Sequence, residues 1–120
     1  MLKNDFIKRI CNIPIDFRNG EKSSLELAQE SGFQEVHQTI NAEQIEEYLN
    51  ANPDLIEAWQ NWSLDKRVSR GYYLQLSSKP IVGFYENGSK SVKKEFNSSA
   101  EACADFILKE VSSILDQNEI

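Results

Sequence analysis

The stretch Gly71 to Phe96, GYYLQLSSKPIVGFYENGSKSVKKEF, decides the fold of this chain. From Gly71 onward apolar side chains recur at every second position, which is the period of a β-strand. Ile81 to Tyr85 is β-branched and aromatic, and Ser91 to Phe96 forms a third extended run. Asn87-Gly88 is a pair favoured in tight type I′ hairpin turns. The stretch therefore predicts a three-stranded antiparallel meander.

A helix is predicted directly after the meander. Ser98 and Glu101 have the spacing of a capping box, in which each side chain bonds the backbone of the other. Small residues near the start of this helix permit close approach to the sheet. The apolar face is predicted to contain Cys103, Ala104, Ile107, Val111, Ile114 and Leu115. The tail, residues 116–120, is expected to fray.

The chain before the meander has the spacing and caps of helices. The first helix is expected to be amphipathic and to end around Ile13-Pro14, because a residue before proline disfavours the α region. Ser23 or Ser24 can cap a short helix to about Ser31, which Gly32 would stop. Whether residues 33–39 form a helix or an irregular packed segment is left open.

Two further helices are predicted between residues 41 and 65. Asn41 and Gln44 form a capping-box pattern at the start of the first of these helices. Asn52 is the expected cap of the second, with Pro53 as its first residue. Trp59 is expected in the core, while Trp62, near the helix end, is more open to a partner.

These elements predict an α+β fold: N-terminal helices, a three-stranded antiparallel β-meander and a C-terminal helix packed on the sheet. A chain of 120 residues fits one domain, residues 1–120. No apolar run approaches the ~20 residues that span a bilayer, and no signal-like apolar region is recognised, so a cytoplasmic location is expected. Cys11 and Cys103 could pair if the terminal helices meet, but free buried thiols are favoured in that compartment.

Charge is strongly segregated along the chain. Residues 21–65 contain ten carboxylates and one lysine, whereas residues 66–96 contain seven cations and two carboxylates. Segregated charge speaks to partners and association rates. The acidic helical half suggests a basic protein partner, and a merely solvated acidic surface is the plainer alternative.

Little in the sequence indicates an enzyme. A metal site needs His or Cys ligands at short spacing, but His37 is the single histidine and the two cysteines are far apart. A Cys103–His37 nucleophile pair is disfavoured, because a thiol on an apolar helix face is inert. No phosphate-binding glycine loop occurs. No catalytic residue, metal ligand or cofactor is therefore predicted.

A nucleic-acid-associated regulator is the alternative function. The predicted sheet interleaves basic residues with aromatic ones, which is typical of a platform that stacks single-stranded bases. Lys93 and Lys94 would contribute to it, or else guard an edge strand against aggregation. The neighbouring acidic helices would repel phosphate, so no nucleic acid is expected as the main partner.

Two segments carry a family resemblance. They are Ile45–Tyr73, IEEYLNANPDLIEAWQNWSLDKRVSRGYY, and Lys93–Leu115, KKEFNSSAEACADFILKEVSSIL. Together they resemble small bacterial immunity proteins of contact-dependent growth inhibition and related polymorphic toxin systems. The matching positions are Trp59, Ser63, Asp65, Arg67, Gly71 and Tyr72, then Phe96, Ala102, Cys103, Ala104, Phe106 and Ile107.

The resemblance covers about half the chain, and the matching positions are expected to be scaffold. Ser63 and Asp65 can bond backbone groups where the helix meets the sheet, and Arg67 could pair with Asp65. The resemblance implies a protein that binds a cognate toxin domain, expected to be a basic nuclease, and neutralises it by occlusion. Charge and helical position nominate the contact residues: Glu35, Glu43, Glu46, Glu47, Tyr48, Asp54, Glu57 and Trp62.

Overall fold

The computed structural model describes residues 3–66 and 70–117. The described residues form seven helices and one antiparallel sheet of three strands, in the order β1-β2-β3. The elements are α1 Lys3–Cys11, α2 Ile13–Asn19, α3 Ser24–Glu30, α4 Phe33–Val36, α5 Ala42–Ala51, α6 Asp54–Asp65, β1 Arg70–Gln75, β2 Ile81–Glu86, β3 Ser89–Glu95 and α7 Ser99–Gln117. The predicted α+β fold, with the C-terminal helix on the sheet, is confirmed.

Capping fixes where the middle helices begin. Asn41 and Gln44 form the predicted reciprocal capping box at α5, and Ser23, one of the two caps predicted for α3, forms such a box with Glu26. Each box satisfies two backbone N–H groups that the first helical turn leaves unpaired. Gly32 ends the α3 segment with a φ of 82°, a left-handed conformation that costs glycine little. The segment left open in the sequence is a single helical turn, α4.

Pro14 and Pro53 differ in part from the prediction. The first helix ends at Cys11, close to the predicted point, but α2 begins directly afterwards at Ile13, with Pro14 in its first turn, where the missing N–H would have had no helical partner. Pro53 lies just before α6 rather than at its first residue. Asn52, the predicted cap of α6, instead donates its side-chain amide to the Tyr48 carbonyl at 2.9 Å and closes α5.

The sheet follows the predicted meander, with its strands slightly shifted. The β2–β3 turn has left-handed φ values of 51° at Asn87 and 87° at Gly88, as a type I′ turn requires. A register shift lies opposite Val82 and Gly83, where β3 contains one extra residue. β3 is one edge of the sheet, and all of its residues are exposed.

Helix α6 covers the other edge of the sheet, along β1. Gln60 bonds both the Leu74 carbonyl (2.8 Å) and the Leu76 N–H (2.7 Å). Ser63 accepts from the Leu74 N–H at 2.9 Å, which confirms its predicted bond to backbone at the helix–strand junction. Gln60 and Ser63, three residues apart on α6, thus supply hydrogen bonds to β1 and the residue after it that a neighbouring strand would otherwise supply. The predicted role of Arg67 lies outside the described residues.

The core forms where α7 meets α5, β1 and the neighbouring helices. Trp59 is fully buried, as predicted, and donates its indole N–H to the Cys11 carbonyl at 3.0 Å. The small residues at the start of α7 are buried, which allows the predicted close approach. Ile114, predicted on the apolar face, is only half-buried, and Phe106 and Glu110 complete the buried surface of α7.

Candidate functional site

The predicted contact carboxylates lie on three successive helices. Glu35 is on α4, three more are on α5, and Asp54 and Glu57 begin α6. All are exposed except Glu46, which is half-buried. On α5 the acids recur three and four residues apart, so they share the face opposite the buried Ile45 and Leu49.

These carboxylates lack ion pairs within residues 3–66 and 70–117. The ion pairs found there use other acids: Lys22–Glu30, Lys66–Glu110, Arg70–Glu86, Lys79–Glu95 and Lys109–Asp105. The sheet's cations are therefore partly neutralised by its own glutamates. The predicted contact carboxylates on α4 to α6 are not neutralised by an ion pair among the described residues, so their negative charge can attract an approaching cationic molecule.

The two predicted aromatic contacts are both half-buried. Tyr48 packs against the core from α5. Trp62, expected to be open to a partner, donates its indole N–H to the buried Glu110 carboxylate at 2.7 Å. Its ring also lies 5.5 Å from the Trp59 ring and 5.3 Å, edge to face, from the Phe17 ring. Trp62 is thus a fixed wall of the surface rather than a free side chain.

A buried ion pair anchors this region. Lys66 donates to Glu110 at 2.8 Å and to the Tyr72 carbonyl at 2.9 Å, and the two charged side chains are only 13% and 4% exposed. With Trp62 as a second donor, Glu110 is satisfied on both oxygens. Burial, and then the Glu110 charge, raise the pKa of Tyr85 above its usual value. The pair joins α6, β1 and α7.

Sequence reasoning missed this pair. In the sequence Lys66 is one of the seven cations of residues 66–96, and no pattern pairs it with Glu110. A signal was present: Glu110 lies three residues after Ile107 and one before Val111, inside the apolar stripe of α7. A charge in such a position is buried and needs a partner.

A groove opens between α2 and α6 beside this pair, with a volume of about 420 Å³. Its apolar lining comes from Pro14, Phe17, Ala58 and Trp62. The polar lining comes from Arg18, Ser24, Asn61, Asp65 and Lys66. Phe17 is 47% exposed at the groove, and no pattern in the sequence marks it as a contact residue.

The basic sheet offers less open aromatic surface than its composition suggests. Tyr73 is buried at 7% exposure, and the Lys90 ammonium lies 5.0 Å from its ring centroid. The Phe84 ring has Arg70 at 5.6 Å and Lys93 at 6.0 Å. Bases stack on exposed ring faces, so these geometries favour nucleic-acid binding less than the sequence did. That function stays the alternative.

The two cysteines lie away from solvent, whereas His37 is exposed. Both thiols are free and buried. Burial raises the pKa of Cys11 to about 12 and that of Cys103 further still. The His37 ring nitrogen Nδ1 lies 3.1 Å from the Gln34 carbonyl, within its own turn of chain. Among the described residues no cluster of three potential metal ligands occurs.

The same part of the chain contains no helix with the length and apolarity needed to cross a bilayer. Comparisons with protein-family models, with curated proteins and with solved structures gave no significant match. The family resemblance noted in the sequence therefore stays a prediction.

Proposed function

We propose that this protein binds a basic protein domain and neutralises it, as an immunity protein of a contact-dependent growth inhibition or related polymorphic toxin system. The observation that carries the proposal is the set of carboxylates on α4 to α6, which face solvent without ion pairs among the described residues. A surface of one charge sign attracts a partner of the other sign and speeds their encounter.

The proposed mechanism is stoichiometric occlusion. A nuclease toxin holds phosphate with lysine and arginine side chains, and carboxylates such as Glu43 and Glu47 would occupy those groups. Tyr48 and Trp62 would supply aromatic contact area, which often carries much of the binding energy at interfaces. The immunity protein needs no catalytic group for this role.

Co-expression tests the proposal. Cells would produce the C-terminal toxin region encoded directly upstream of this gene in its source genome, with or without this protein. We expect the wild-type protein to restore growth and to form a 1:1 complex with that region. Full toxicity in the presence of folded, abundant protein would contradict the proposal.

A matched variant separates the two surfaces. Lys93→Ala/Lys94→Ala changes charge on the exposed β3 edge and leaves α4 to α6 untouched. We expect this variant to protect cells as well as the wild type does. If it instead lost protection and also lost salt-dependent retention of single-stranded RNA, the nucleic-acid alternative would be favoured.

A further inference from the structure

The groove between α2 and α6 has the features of a preformed anchor site. Two aromatic rings in edge-to-face contact, Phe17 from α2 and Trp62 from α6, form one continuous part of its apolar lining, with centroids 5.3 Å apart. Pro14 and Ala58 complete the apolar surface. Interface hot spots are commonly pockets of this kind, which exclude water around a bulky side chain.

The groove wall is rigid before any partner arrives. The indole N–H of Trp62 is bound to Glu110 at 2.7 Å, and its ring packs against the fully buried Trp59. Lys66 holds the other oxygen of Glu110 at 2.8 Å. A wall that is already ordered loses little conformational entropy on binding, which favours affinity.

An acidic stripe of α6 runs beside the groove, and its Asp65 lines the groove itself. Asp54, Asn61 and Asp65 point within a narrow arc of the helix, because residues seven and eleven apart nearly superpose at 3.6 residues per turn. Glu57 lies at the edge of the same arc. Ala58 and Trp62 occupy the adjoining arc and line the groove. The apolar groove and the acidic stripe are therefore side by side on α6.

Two cations also line the groove. The Lys66 ammonium is engaged by Glu110 and by the Tyr72 carbonyl, so its charge is locally balanced. Arg18 belongs to α2 and is exposed. Its guanidinium would be available to donate to backbone carbonyls of a bound segment, while Asp65 and the adjoining acids of α6 would favour positive charge.

We propose that this groove receives a bulky apolar side chain of the protein partner, on a segment whose adjacent lysine or arginine meets Asp65 and the acidic stripe of α6. The proposal rests on the proposed function, since it places the anchor of the same basic partner. It adds Phe17, Asn61 and Asp65 to the contact surface.

The test compares two exposed apolar side chains. Phe17→Ala removes an aromatic ring from the apolar lining of the groove, whereas Val92→Ala truncates a residue of β3 that is 56% exposed. Affinity for the upstream-encoded toxin region would be measured for wild type and both variants, with thermal unfolding as a check on folding. We expect Phe17→Ala to weaken binding at least ~10-fold and Val92→Ala less than ~2-fold.

Hydrogen exchange of the wild-type complex gives a second readout that needs no variant. We expect slower amide exchange within α2 and the second half of α6 when the toxin region is bound. If the toxin region binds but Phe17→Ala matches Val92→Ala and these segments are unprotected, the groove proposal is overturned and the proposed function survives. If the wild-type protein does not bind the toxin region, both are overturned.

Discussion

Glu110 and Lys66 show how much one buried pair can determine. Their charges would be costly to bury singly, but three hydrogen bonds satisfy them and connect two helices to a strand. The same pair orients Trp62 and so shapes the groove. Pattern analysis finds an apolar stripe and assigns α7 correctly, but it cannot place a lysine 44 residues away against one acid in that stripe.

Breaking this pair should be strongly destabilising. We expect Lys66→Met to lower the free energy of unfolding by about 3–5 kcal/mol, because Glu110 is left as a buried charge with one partner fewer. Lys66→Met/Glu110→Gln should recover part of the loss, since the neutral amide still accepts from Trp62. Urea unfolding monitored by tryptophan fluorescence would measure both variants.

The control is the more exposed pair on the same helix. Asp105→Asn disrupts the bond to Lys109, whose side chain is 34% exposed, and should cost no more than about 1 kcal/mol. If Lys66→Met and Asp105→Asn lowered the free energy of unfolding equally, burial would not make the Lys66–Glu110 pair more important for stability than an exposed pair.

The buried thiols predict a dependence on alkaline pH. The folded-state pKa of Cys11 lies near 12 rather than 9.0, so folding favours the protonated thiol. The protonated thiol therefore contributes fully to the stability of the fold below about pH 9, and this contribution is lost as the pH rises toward 12. The slope is at most about 1.4 kcal/mol per pH unit per thiol. Cys11→Ala should lose less stability over that interval than the wild type.

The same burial makes the thiols unreactive in the native state. A disulfide reagent at pH 8 should modify neither Cys11 nor Cys103 until urea unfolds the chain, when both should react rapidly. Rapid modification of the folded protein would contradict the burial of these residues.

At the scale of elements, local signals were sufficient wherever backbone capping decided the boundary. The capping box of α5 and the Asn87-Gly88 turn were predicted correctly, and Ser23 was one of the two caps predicted for α3, because each signal involves residues within three positions of each other. The helix that starts at Ile13 was missed and Asn52 was misassigned, because each pattern permits two outcomes. Proline ends one helix and begins another equally well, and the Asn52 side chain can bond backward as easily as forward.

The α6 cover of β1 was beyond prediction, because Gln60 and Leu76 meet only in the folded chain. We expect Gln60→Ala to cost about 1–2 kcal/mol, since it leaves the Leu74 carbonyl and the Leu76 N–H without their partner. Asn61→Ala, an exposed amide one residue away, is the control and should change stability by less than about 0.5 kcal/mol.

Hydrogen exchange would localise that effect. The Leu76 amide should exchange faster in Gln60→Ala than in Asn61→Ala, because its acceptor is the Gln60 side chain. An unchanged Leu76 rate would mean that this strand edge is protected by something other than α6.

At the scale of the whole molecule, folding brings together side chains that lie far apart in the sequence. The sequence shows an acidic half and a basic half, and the predicted contact acids rest on charge and helical position alone. The structure brings one new partner to them: α2, whose Phe17 meets Trp62 beside the acidic stripe of α6. No periodicity could reveal this juxtaposition, because α2 and α6 are separated by three other helices in the chain.

The central claim is that the acidic helices receive the partner. The most direct test measures how fast the triple variant Glu43→Gln/Glu46→Gln/Glu47→Gln associates with the upstream-encoded toxin region over a range of ionic strengths. The account predicts that this variant associates at least ~10-fold more slowly than the wild type at low salt and that the salt dependence of its rate is shallower. The control is Lys93→Gln/Lys94→Gln, which should associate no more slowly than the wild type. A triple variant with wild-type rates and wild-type salt dependence would contradict the claim that the acidic helices receive the partner.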